Sequence, residues 1–315
     1  MGFVIASQFE EPFNEGLRAL PLRPTVIAAP EERPWEAADD ADILLVRPSP
    51  AWRAGHSLAR PAAWPGRLRW VYSGSVGVDF YPRWLLDGPL VSCGRGVASE
   101  EIAEYVISAI YHQAKNLEAV RARSLAEWRQ APLGRVAGST VGVVGLGAIG
   151  EAVARRALAL GARVTAARRR QLPSPVDGVE ILDDLNAVIA SADHLVLALP
   201  ATDATRGLIG AEALAQAKPT AHLINIARGS VLDQAALIEA LDADRLAFAT
   251  LDVTDPEPLP AGHPLWTHPK VRLTPHVSSN HLLLRGALFD KVRANLDRFA
   301  RGETPLDLVD PVAGY

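Results

Sequence analysis

Residues 141–164 read VGVVGLGAIGEAVARRALALGARV, and this stretch decides the predicted fold. A hydrophobic run is followed by Gly145, Gly147 and Gly150 in GxGxxG spacing, and then by apolar residues at helical intervals. In such a strand–turn–helix unit, the first glycine permits the tight turn and the second lets a pyrophosphate approach the backbone. The third allows the helix to pack closely on the strand. Free N–H groups at the start of the helix then bind the phosphates. We therefore predict a dinucleotide site here, the alternative being a purely structural turn.

Short apolar runs alternate with amphipathic stretches on both sides of this motif, a pattern typical of parallel sheets covered by helices. The predicted fold class is therefore α/β, with two doubly wound parallel-sheet domains. From Ser99, the sequence SEEIAEYVISAIYHQAKNLEAVRARSLAEW predicts one long helix that bridges the domains, with Ser99 as its N-cap. The predicted strands are FVIAS (3–7), PTVIAA (24–29), DILLVR (42–47), LRWVYS (68–73) and LVSC (90–93), followed by VGVVG, ARVTAA, HLVLALP, AHLINIA, LAFATLDV and VRLTPHV.

Composition excludes several classes of protein. A length of 315 residues predicts about two domains, and a net charge of −4 offers no basic field for nucleic acid or an anionic membrane. Cys93 is the single cysteine, so no intrachain disulfide forms and a reducing compartment is expected. The sequence has no clustering of cysteine and histidine that would indicate a metal site. It also has neither a basic leader nor an apolar run of membrane-spanning length, so we expect a cytoplasmic location.

The end of the next predicted strand indicates which dinucleotide is bound. NAD sites place an acidic residue about 20 residues after the first glycine to bind the ribose 2′-OH. This chain instead reads VTAARRR, with Arg168, Arg169 and Arg170 at that position. Guanidinium groups bind a 2′-phosphate through paired hydrogen bonds. We therefore predict NADP(H) in preference to NAD(H), with Arg168 and Arg169 as phosphate ligands. The alternative is that these arginines only form a solvated face. For Arg170 the two interpretations are equally strong.

Three candidate catalytic residues follow later strands: Arg228 in INIARGSVLD, Glu257 in LDVTDPEPLP and His276 in RLTPHVSS. Ligands of open α/β sheets bind beyond the carboxyl ends of the strands. Taken singly, these residues are ordinary: an ion-pair partner, a loop carboxylate and a cap. Their positions after three successive strands of a dinucleotide-binding sheet favour a shared catalytic role.

The motifs resemble those of the D-isomer-specific 2-hydroxyacid dehydrogenase family over nearly the whole chain. GLGAIG, LINIARGSVLD, LDVTDPEPLP, HPLW and TPH occur in the family's order, and SGSVGVD (73–79) resembles its substrate loop. The EPLP and HPLW pairing is most similar to the glyoxylate/hydroxypyruvate reductase branch. The resemblance implies a flavodoxin-like substrate domain, residues 1–98 plus 282–315, into which a Rossmann NADP-binding domain, residues 99–281, is inserted. It also implies a homodimer.

The resemblance also assigns roles to residues. Arg228, Glu257 and His276 form the catalytic set, and backbone groups of Ser75, Val76 and Gly77 hold the substrate carboxylate. Arg47, at the end of a strand, is a further candidate for that carboxylate, with an exposed ion pair as its alternative. Asp252 faces the nicotinamide amide. The expected cofactor contacts beyond the glycines and arginines are Leu146, Ala148, Ile149, Leu199, Pro200, Thr205, Ala227, Asp252 and Ser278.

The chemistry expected of this set is reduction of a ketone or aldehyde. Hydride transfer to the 2-oxo carbon builds negative charge on the carbonyl oxygen, and His276 is suited to supply a proton there. Glu257, on the other ring nitrogen, would favour the protonated ring and fix its tautomer. Arg228 would bind the carboxylate and polarise the carbonyl.

The predicted function is NADPH-dependent reduction of small 2-oxo acids, such as glyoxylate or hydroxypyruvate, to D-2-hydroxy acids. One alternative is a noncatalytic NADP(H)-binding sensor or scaffold. Another is a dehydrogenase of the same family that acts on a different 2-hydroxy acid, such as phosphoglycerate.

Overall fold

The chain forms two units in the computed structural model, which describes residues 2–53, 57–169 and 172–315. One unit consists of Met1–Val97 and His281–Tyr315, and the other is Ala98–Asn280. Each unit is built on a parallel sheet, so the predicted fold class is confirmed. The helices are, in chain order, α1 (Glu11–Arg18), α2 (Pro50–Arg53), α3 (Ser99–Lys115), α4 (Ala148–Ala159), α5 (Leu185–Ser191), α6 (Ala211–Leu214), α7 (Gln234–Asp242) and α8 (His281–Ala300).

The described residues of the first unit hold a five-stranded sheet. Its strands are β1 (Val4–Ser7), β2 (Thr25–Ala28), β3 (Ile43–Val46), β4 (Trp70–Ser73) and β5 (Leu90–Cys93). They run in the order β2-β1-β3-β4-β5, which is the flavodoxin-like order. Every strand lies inside a predicted apolar run, because strands of a parallel sheet are buried on both faces. Residues of α8 cover one face, where Val292 and Leu296 are fully buried in a cluster with Ile5 and Ile43.

The other face of this sheet is filled by indole rings. Trp52 is fully buried in this core, and Trp64 and Trp84 are nearly so. The ring centroids of Trp64 and Trp84 lie 4.9 Å apart, and those of Trp35 and Trp52 lie 5.3 Å apart, in edge-to-face arrangements. Aromatic pairs favour this geometry because the positive edge of one ring meets the negative face of the next.

The described residues of the second unit hold a seven-stranded sheet. Its strands are β6 (Thr140–Val144), β7 (Arg163–Ala167), β8 (Val179–Ile181), β9 (His194–Leu197), β10 (His222–Asn225), β11 (Phe248–Leu251) and β12 (Val271–Leu273). The order is β12-β11-β10-β9-β6-β7-β8. Counted within the unit, this is 3-2-1-4-5-6 with one strand added, the order of a dinucleotide-binding sheet. The chain reverses its winding direction between β6 and β9, and ligands of such sheets bind at that point.

The sequence predicted six strands for this sheet and missed β8. This edge strand has only three residues and carries Glu180 at its centre, so it shows no apolar run. It pairs with β7 from Val179 to Ile181. Its formation depends on hydrogen bonding to β7, and the local sequence pattern of residues 179–181 does not show that partner.

The prediction for α3 was wrong at both ends. Ser99 is the first helical residue rather than the N-cap, which is Ala98, a residue whose side chain cannot cap. The helix ends at Lys115 because Asn116 adopts a left-handed φ of 38° and donates its N–H to the carbonyl of His112. Residues 116–135 are exposed, with a short 3₁₀ turn at Leu125–Glu127. The whole of α3 belongs to the second unit. In the described part of the chain, no helix combines the length and apolar character needed to span a membrane.

The glycine motif forms the turn between β6 and α4. Gly145 has a φ of 101°, and a Cβ at this position would lie 2.6 Å from the carbonyl oxygen of Ala198. A Cβ on Gly150 would lie 2.2 Å from the carbonyl oxygen of Gly145, so this position requires close approach of helix to strand. At Gly147, by contrast, a Cβ would meet no described atom within 4 Å. The first and third glycines therefore serve the fold, and the second leaves an open approach to the backbone.

This difference predicts that the same substitution has a large effect on stability at Gly150 and a negligible one at Gly147. Gly150→Ala should lower the free energy of unfolding by about 2 kcal/mol or more, because the added methyl group overlaps a carbonyl oxygen. Gly147→Ala, with a φ of −99° that any residue tolerates, should change it by less than about 0.5 kcal/mol. Urea unfolding of the two variants measures both values. Equal losses would show that the turn is not packed as described.

Candidate active site

His276 and Glu257 form a hydrogen-bonded pair beyond the carboxyl ends of β11 and β12. The Nδ1 atom of His276 lies 2.7 Å from Oε1 of Glu257. Their side chains are 47% and 44% exposed, so both remain accessible to a ligand. Because Glu257 engages Nδ1, exchange of a proton with a bound molecule is left to Nε2. Such a pair is chemically able to serve as a general acid–base with an orienting carboxylate.

Arg228 follows β10 and is held by a side chain that the sequence analysis did not single out. The buried Asn225 donates from Nδ2 to the carbonyl of Arg228 (3.0 Å) and accepts at Oδ1 from the N–H of Ala227 (3.0 Å). The Arg228 side chain donates from Nη1 to the carbonyl of Ala227 (2.8 Å). Asn225 therefore fixes the turn that carries the guanidinium.

The next residue, Gly229, brings this turn against the loop that carries Glu257. A Cβ on Gly229 would lie 1.9 Å from the carbonyl carbon of Thr254, so only glycine allows the two backbones to pack this closely. Gly229 was also missed, because its requirement comes from a contact with residues far along the chain. The sequence did contain a signal for Gly229, because it directly follows Arg228 and glycine is used where two backbones approach closely.

The electrostatics of the site link these residues. Burial, the largest single influence, would raise the pKa of Glu257, whereas the hydrogen bond and charge of His276 lower it. The N–H of Thr254 and the positive charge of Arg228 add to this effect, and the pKa of Glu257 falls below its ordinary value. Glu257 is therefore an anion near neutral pH, with two basic groups close enough to stabilise that charge.

Asp252, which follows β11, holds the loop that contains His276. This residue is only 2% exposed. Its carbonyl accepts from the N–H of His276 (2.9 Å), while its carboxylate accepts from the N–H groups of Val277 (2.9 Å) and Ser278 (2.9 Å). Three consecutive amides thus bind one residue. The predicted contact of Asp252 with the nicotinamide amide remains a prediction.

The predicted cofactor residues of the glycine turn occupy the start of α4. Gly147 is the N-cap of this helix, and none of the described side chains caps it. The first-turn residues Ala148 and Ile149 are partly exposed, whereas Leu146 is 4% exposed and packs in the core. Free first-turn N–H groups with an open approach at Gly147 fit a phosphate group.

Arg168 and Arg169 follow β7 directly. Arg168 is partly exposed and donates from Nη1 to the carbonyl of Pro173 (3.3 Å), while Arg169 is exposed. Arg170 lies outside the described residues. Both described arginines come at the end of the strand next to β6, as the phosphate role requires.

The remaining predicted cofactor contacts follow β9. Leu199 lies against the glycine turn, since a Cβ on Gly145 would be 2.9 Å from its Cα. Thr205 donates from Oγ1 to the carbonyl of Pro200 (2.7 Å) and accepts from the N–H of Thr202 (2.8 Å), which closes the loop. Because the sheet is parallel, the loops after β6, β7, β9, β10, β11 and β12 share one edge.

The candidate substrate loop lies after β4 in the first unit. The Ser75 N–H donates to Oγ of the buried Ser73 (3.3 Å), and the Ser75 hydroxyl donates to the carbonyl of Gly77 (2.6 Å). Across the described residues, the N–H groups of Val76 and Gly77 have no hydrogen-bond partner. Adjacent free amides of this kind form an anion-binding concavity.

Arg47 is already engaged within the first unit. Its Nη2 atom lies 2.8 Å from Oε1 of Glu31, and its Nε donates to the carbonyl of Gln8 (2.8 Å). The ion-pair alternative is therefore what the structure contains, and contact of Arg47 with a substrate remains a prediction. Among the described residues, no three His, Cys, Asp or Glu side chains are grouped so as to hold a metal ion.

Comparison with known proteins identifies the family. The family model described as D-isomer specific 2-hydroxyacid dehydrogenase, NAD binding domain, matches residues 105–278, more than half of the chain. The chain belongs to the D-isomer-specific 2-hydroxyacid dehydrogenase family. The resemblance inferred from the sequence motifs is thus confirmed.

Three relatives place this dehydrogenase-family chain among similar proteins. Glyoxylate/hydroxypyruvate reductase A of Serratia proteamaculans is 33% identical over 297 residues, 90% of this chain and 91% of the relative. The crystal structure of a family member from Xanthobacter autotrophicus Py2 in complex with NADPH and MES has a TM-score of 0.83 at 28% identity. That of an NADPH-dependent glyoxylate/hydroxypyruvate reductase from Sinorhizobium meliloti with NADP and sulfate has a TM-score of 0.80 at 28% identity. Each comparison of structures covers 100% of both chains.

The pKa of Glu257 yields a prediction about the His276–Glu257 pair. A lowered folded-state pKa stabilises the folded chain above the ordinary pKa of 4.5, and this contribution is lost as the pH falls through the folded-state value. In His276→Ala the midpoint of the Glu257 titration should rise, because the hydrogen bond and charge that lower it are removed. Titration of the carboxyl carbon by ¹³C NMR measures the midpoint. His112→Ala, at an exposed residue of α3, is the matched control, and equal midpoints in the two variants would contradict the pairing.

Proposed function

We propose that the chain is an NADPH-dependent reductase of small 2-oxo acids that forms D-2-hydroxy acids, with glyoxylate and hydroxypyruvate as leading substrates. The observation that carries the proposal is the 2.7 Å contact between His276 and Glu257. It lies at the edge of a sheet whose glycine turn is suited to a dinucleotide. The names of the Serratia and Sinorhizobium relatives support the substrate class. In this proposal the second unit binds the cofactor and carries Arg228, Glu257 and His276, and the first unit carries amides that bind the substrate.

The proposed mechanism follows from what each side chain can hold or donate. Reduced nicotinamide, when bound, supplies hydride to the carbonyl carbon of the substrate. Arg228 orients the substrate carboxylate and polarises the carbonyl with a permanent, forked charge. His276 donates the Nε2 proton to the carbonyl oxygen as negative charge develops there. Glu257 holds the ring by Nδ1, which leaves Nε2 for the substrate. In the oxidative direction, the same Nε2 accepts the proton from the hydroxyl group.

Substrate binding in the first unit is assigned to the loop after β4. The free N–H groups of Val76 and Gly77 are suited to the carboxylate of a 2-oxo acid, because two adjacent amides can share one anion. The hydroxyls of Ser73 and Ser75 bind this loop internally, within 3.3 Å of its backbone. In this proposal Ser75 shapes the loop, and the next two amides contact the ligand.

The preference for NADP(H) is assigned to Arg168 and Arg169. Each extends from the end of β7, where a carboxylate would contact an unmodified ribose and would repel a 2′-phosphate. The neighbouring structures in complex with NADPH and NADP support this assignment. The uncapped first turn of α4 is suited to the pyrophosphate.

The general-acid role of His276 is tested by substitution. His276→Ala should reduce kcat for a 2-oxo acid by about 10²- to 10⁴-fold while NADPH binding is retained. Steady-state assays over a panel of 2-oxo acids measure the loss, and His112→Ala should leave the rate unchanged. Turnover by His276→Ala at the parental rate would exclude the mechanism. A parental enzyme inactive on every 2-oxo acid would favour a nucleotide sensor.

The role of Arg168 is tested by cofactor affinity. Arg168→Ala should weaken NADPH binding by about ten- to a hundredfold and leave NADH binding unchanged, because only NADPH carries the 2′-phosphate. Arg163→Ala removes an exposed arginine from the opposite end of the same strand and is the matched control. Dissociation constants follow from fluorescence titration. If both cofactors lose affinity equally, Arg168 does not bind the 2′-phosphate.

We also propose that the chain forms a homodimer through the exposed segment of residues 116–135. Leu125 and Trp128 in this segment are 92% and 80% exposed, and apolar anchors of this size are typical of subunit contacts. Leu125→Asp should convert the dimer to a monomer, as measured by light scattering after size-exclusion chromatography. Leu283→Asp, at a similarly exposed leucine of α8, should not. A parental chain that is monomeric would refute the assignment.

A further inference from the structure

We propose that Tyr105 and Thr274 are positioning residues, whose hydroxyl groups hold the carboxylate of Asp252 and thereby fix the loop that carries His276. The proposal deepens the proposed function and rests on it, since it assigns His276 as the proton donor. Among the hydrogen bonds of the described residues, neither hydroxyl group is bonded to the His276 ring. Their effect would be transmitted through Asp252.

The hydrogen bonds form a single chain from α3 to the loop after β12. The Tyr105 hydroxyl lies 2.6 Å from Oγ1 of Thr274. Thr274 in turn donates from Oγ1 to Oδ1 of Asp252, also at 2.6 Å. Because an ionised carboxylate only accepts, the Thr274 proton points to Asp252 and the Tyr105 proton points to Thr274. Burial raises the pKa of Tyr105, so its hydroxyl stays a donor near neutral pH.

The geometry of Asp252 explains why one additional donor matters. Its Oδ1 atom accepts from both Thr274 and the N–H of Val277, whereas Oδ2 accepts from the N–H of Ser278. The Thr274 hydroxyl thus fixes the rotation of the carboxylate about its axis. Without that donor, Oδ1 would retain only the bond from Val277 among these contacts. The carboxylate would then be free to turn away from one of the two amides.

The loop needs this support because His276 is in an unfavourable backbone conformation. Its φ is +53°, in the left-handed region that residues other than glycine seldom adopt. Such a conformation persists only where surrounding contacts determine it, and it is often found at functional sites. Here the N–H of His276 donates to the carbonyls of both Asp252 and Thr274. Thr274 therefore supports His276 through its backbone and, by way of Asp252, through its side chain.

The two hydroxyl groups also tie the loop to a rigid element. Tyr105 extends from the middle of α3, which packs on the sheet through Ile102, Val106 and Ile110. A hydrogen bond from a packed helix restrains the loop more strongly than a bond from another loop. The chain of three side chains thus connects the core of the second unit with the candidate proton donor.

The experiment compares four substitutions in the 315-residue chain. Thr274→Val removes the hydroxyl and keeps the shape, Thr274→Ser keeps the hydroxyl, and Tyr105→Phe removes one oxygen atom. Thr165→Val is the matched control, since it removes the hydroxyl of a second threonine of this unit, which is bonded to Ser191. For each variant we measure kcat and KM with a 2-oxo acid, the NADPH dissociation constant, and amide hydrogen exchange at Val277 and Ser278.

The hydrogen-bonded chain from Tyr105 through Thr274 to Asp252 predicts a specific pattern of results. Thr274→Val should lower kcat by about 10- to 100-fold, because small displacements of a catalytic group have effects of this size. Tyr105→Phe should lower it by about three- to tenfold, and in both variants NADPH affinity should change by less than about threefold. The two amides should exchange about tenfold faster in both variants. Thr274→Ser, which keeps the hydroxyl, should leave kcat and the amide exchange rates at their parental values. Thr165→Val should also change neither quantity.

Two results would overturn the proposal. Unchanged amide exchange in both Thr274→Val and Tyr105→Phe would show that the hydroxyls do not hold the loop. Faster exchange with unchanged kcat would show that they hold it without positioning His276 for catalysis. Should the parental chain reduce no 2-oxo acid, the proposed function fails and its catalytic part fails with it, whereas amide exchange still decides whether the hydroxyls hold the loop. Should Thr274→Val not fold, Tyr105→Phe, which removes one atom, decides between the outcomes.

Discussion

Asp252 is a buried carboxylate, and a buried carboxylate requires hydrogen-bond donors. Removing a charged group from water costs several kcal/mol unless hydrogen bonds replace the lost solvation. Asp252 obtains them from the N–H groups of Val277 and Ser278 and from the Thr274 hydroxyl. The loop after β12 is thereby tied to the end of β11. The position of His276 is therefore determined by the hydrogen bonds that Asp252 needs in place of water.

The parallel sheet determines which loops meet at the candidate active site. All strands of the second unit point the same way, so their carboxyl ends share one edge. Arg228, Glu257 and His276 follow three strands that are adjacent in the sheet, although 48 positions separate the first from the last in the sequence numbering (276 − 228). The close backbone packing of Gly229 on Thr254 then brings two of these loops into contact. The charges of His276 and Arg228 can stabilise Glu257 because the backbone has already brought them together.

The elements that the sequence predicted well are those with a strong local pattern. Buried strands appear as apolar runs, and the glycine turn appears as a spacing. His276 and Glu257 were found because each lies in the loop after a recognisable strand. Elements that depend on distant chain were missed. The edge strand β8 has only three residues and depends on its pairing with β7. The end of α3 was missed for a local reason, the left-handed conformation of Asn116. Tyr105 and Thr274 are separated by 169 positions, and no periodicity connects them.

The indole cluster of the first unit also makes the chain convenient to study by spectroscopy. Five of the seven tryptophans, Trp35, Trp52, Trp64, Trp70 and Trp84, belong to this unit, and four of them pack around one core. Buried indoles emit at shorter wavelengths than solvated ones, so intrinsic emission is weighted toward the five-stranded unit. The other two tryptophans, Trp128 and Trp266, belong to the seven-stranded unit and are already exposed to solvent. A red shift on denaturation therefore reports loss of the first unit, whereas far-ultraviolet circular dichroism follows both, and any separation of the two curves reveals independent unfolding.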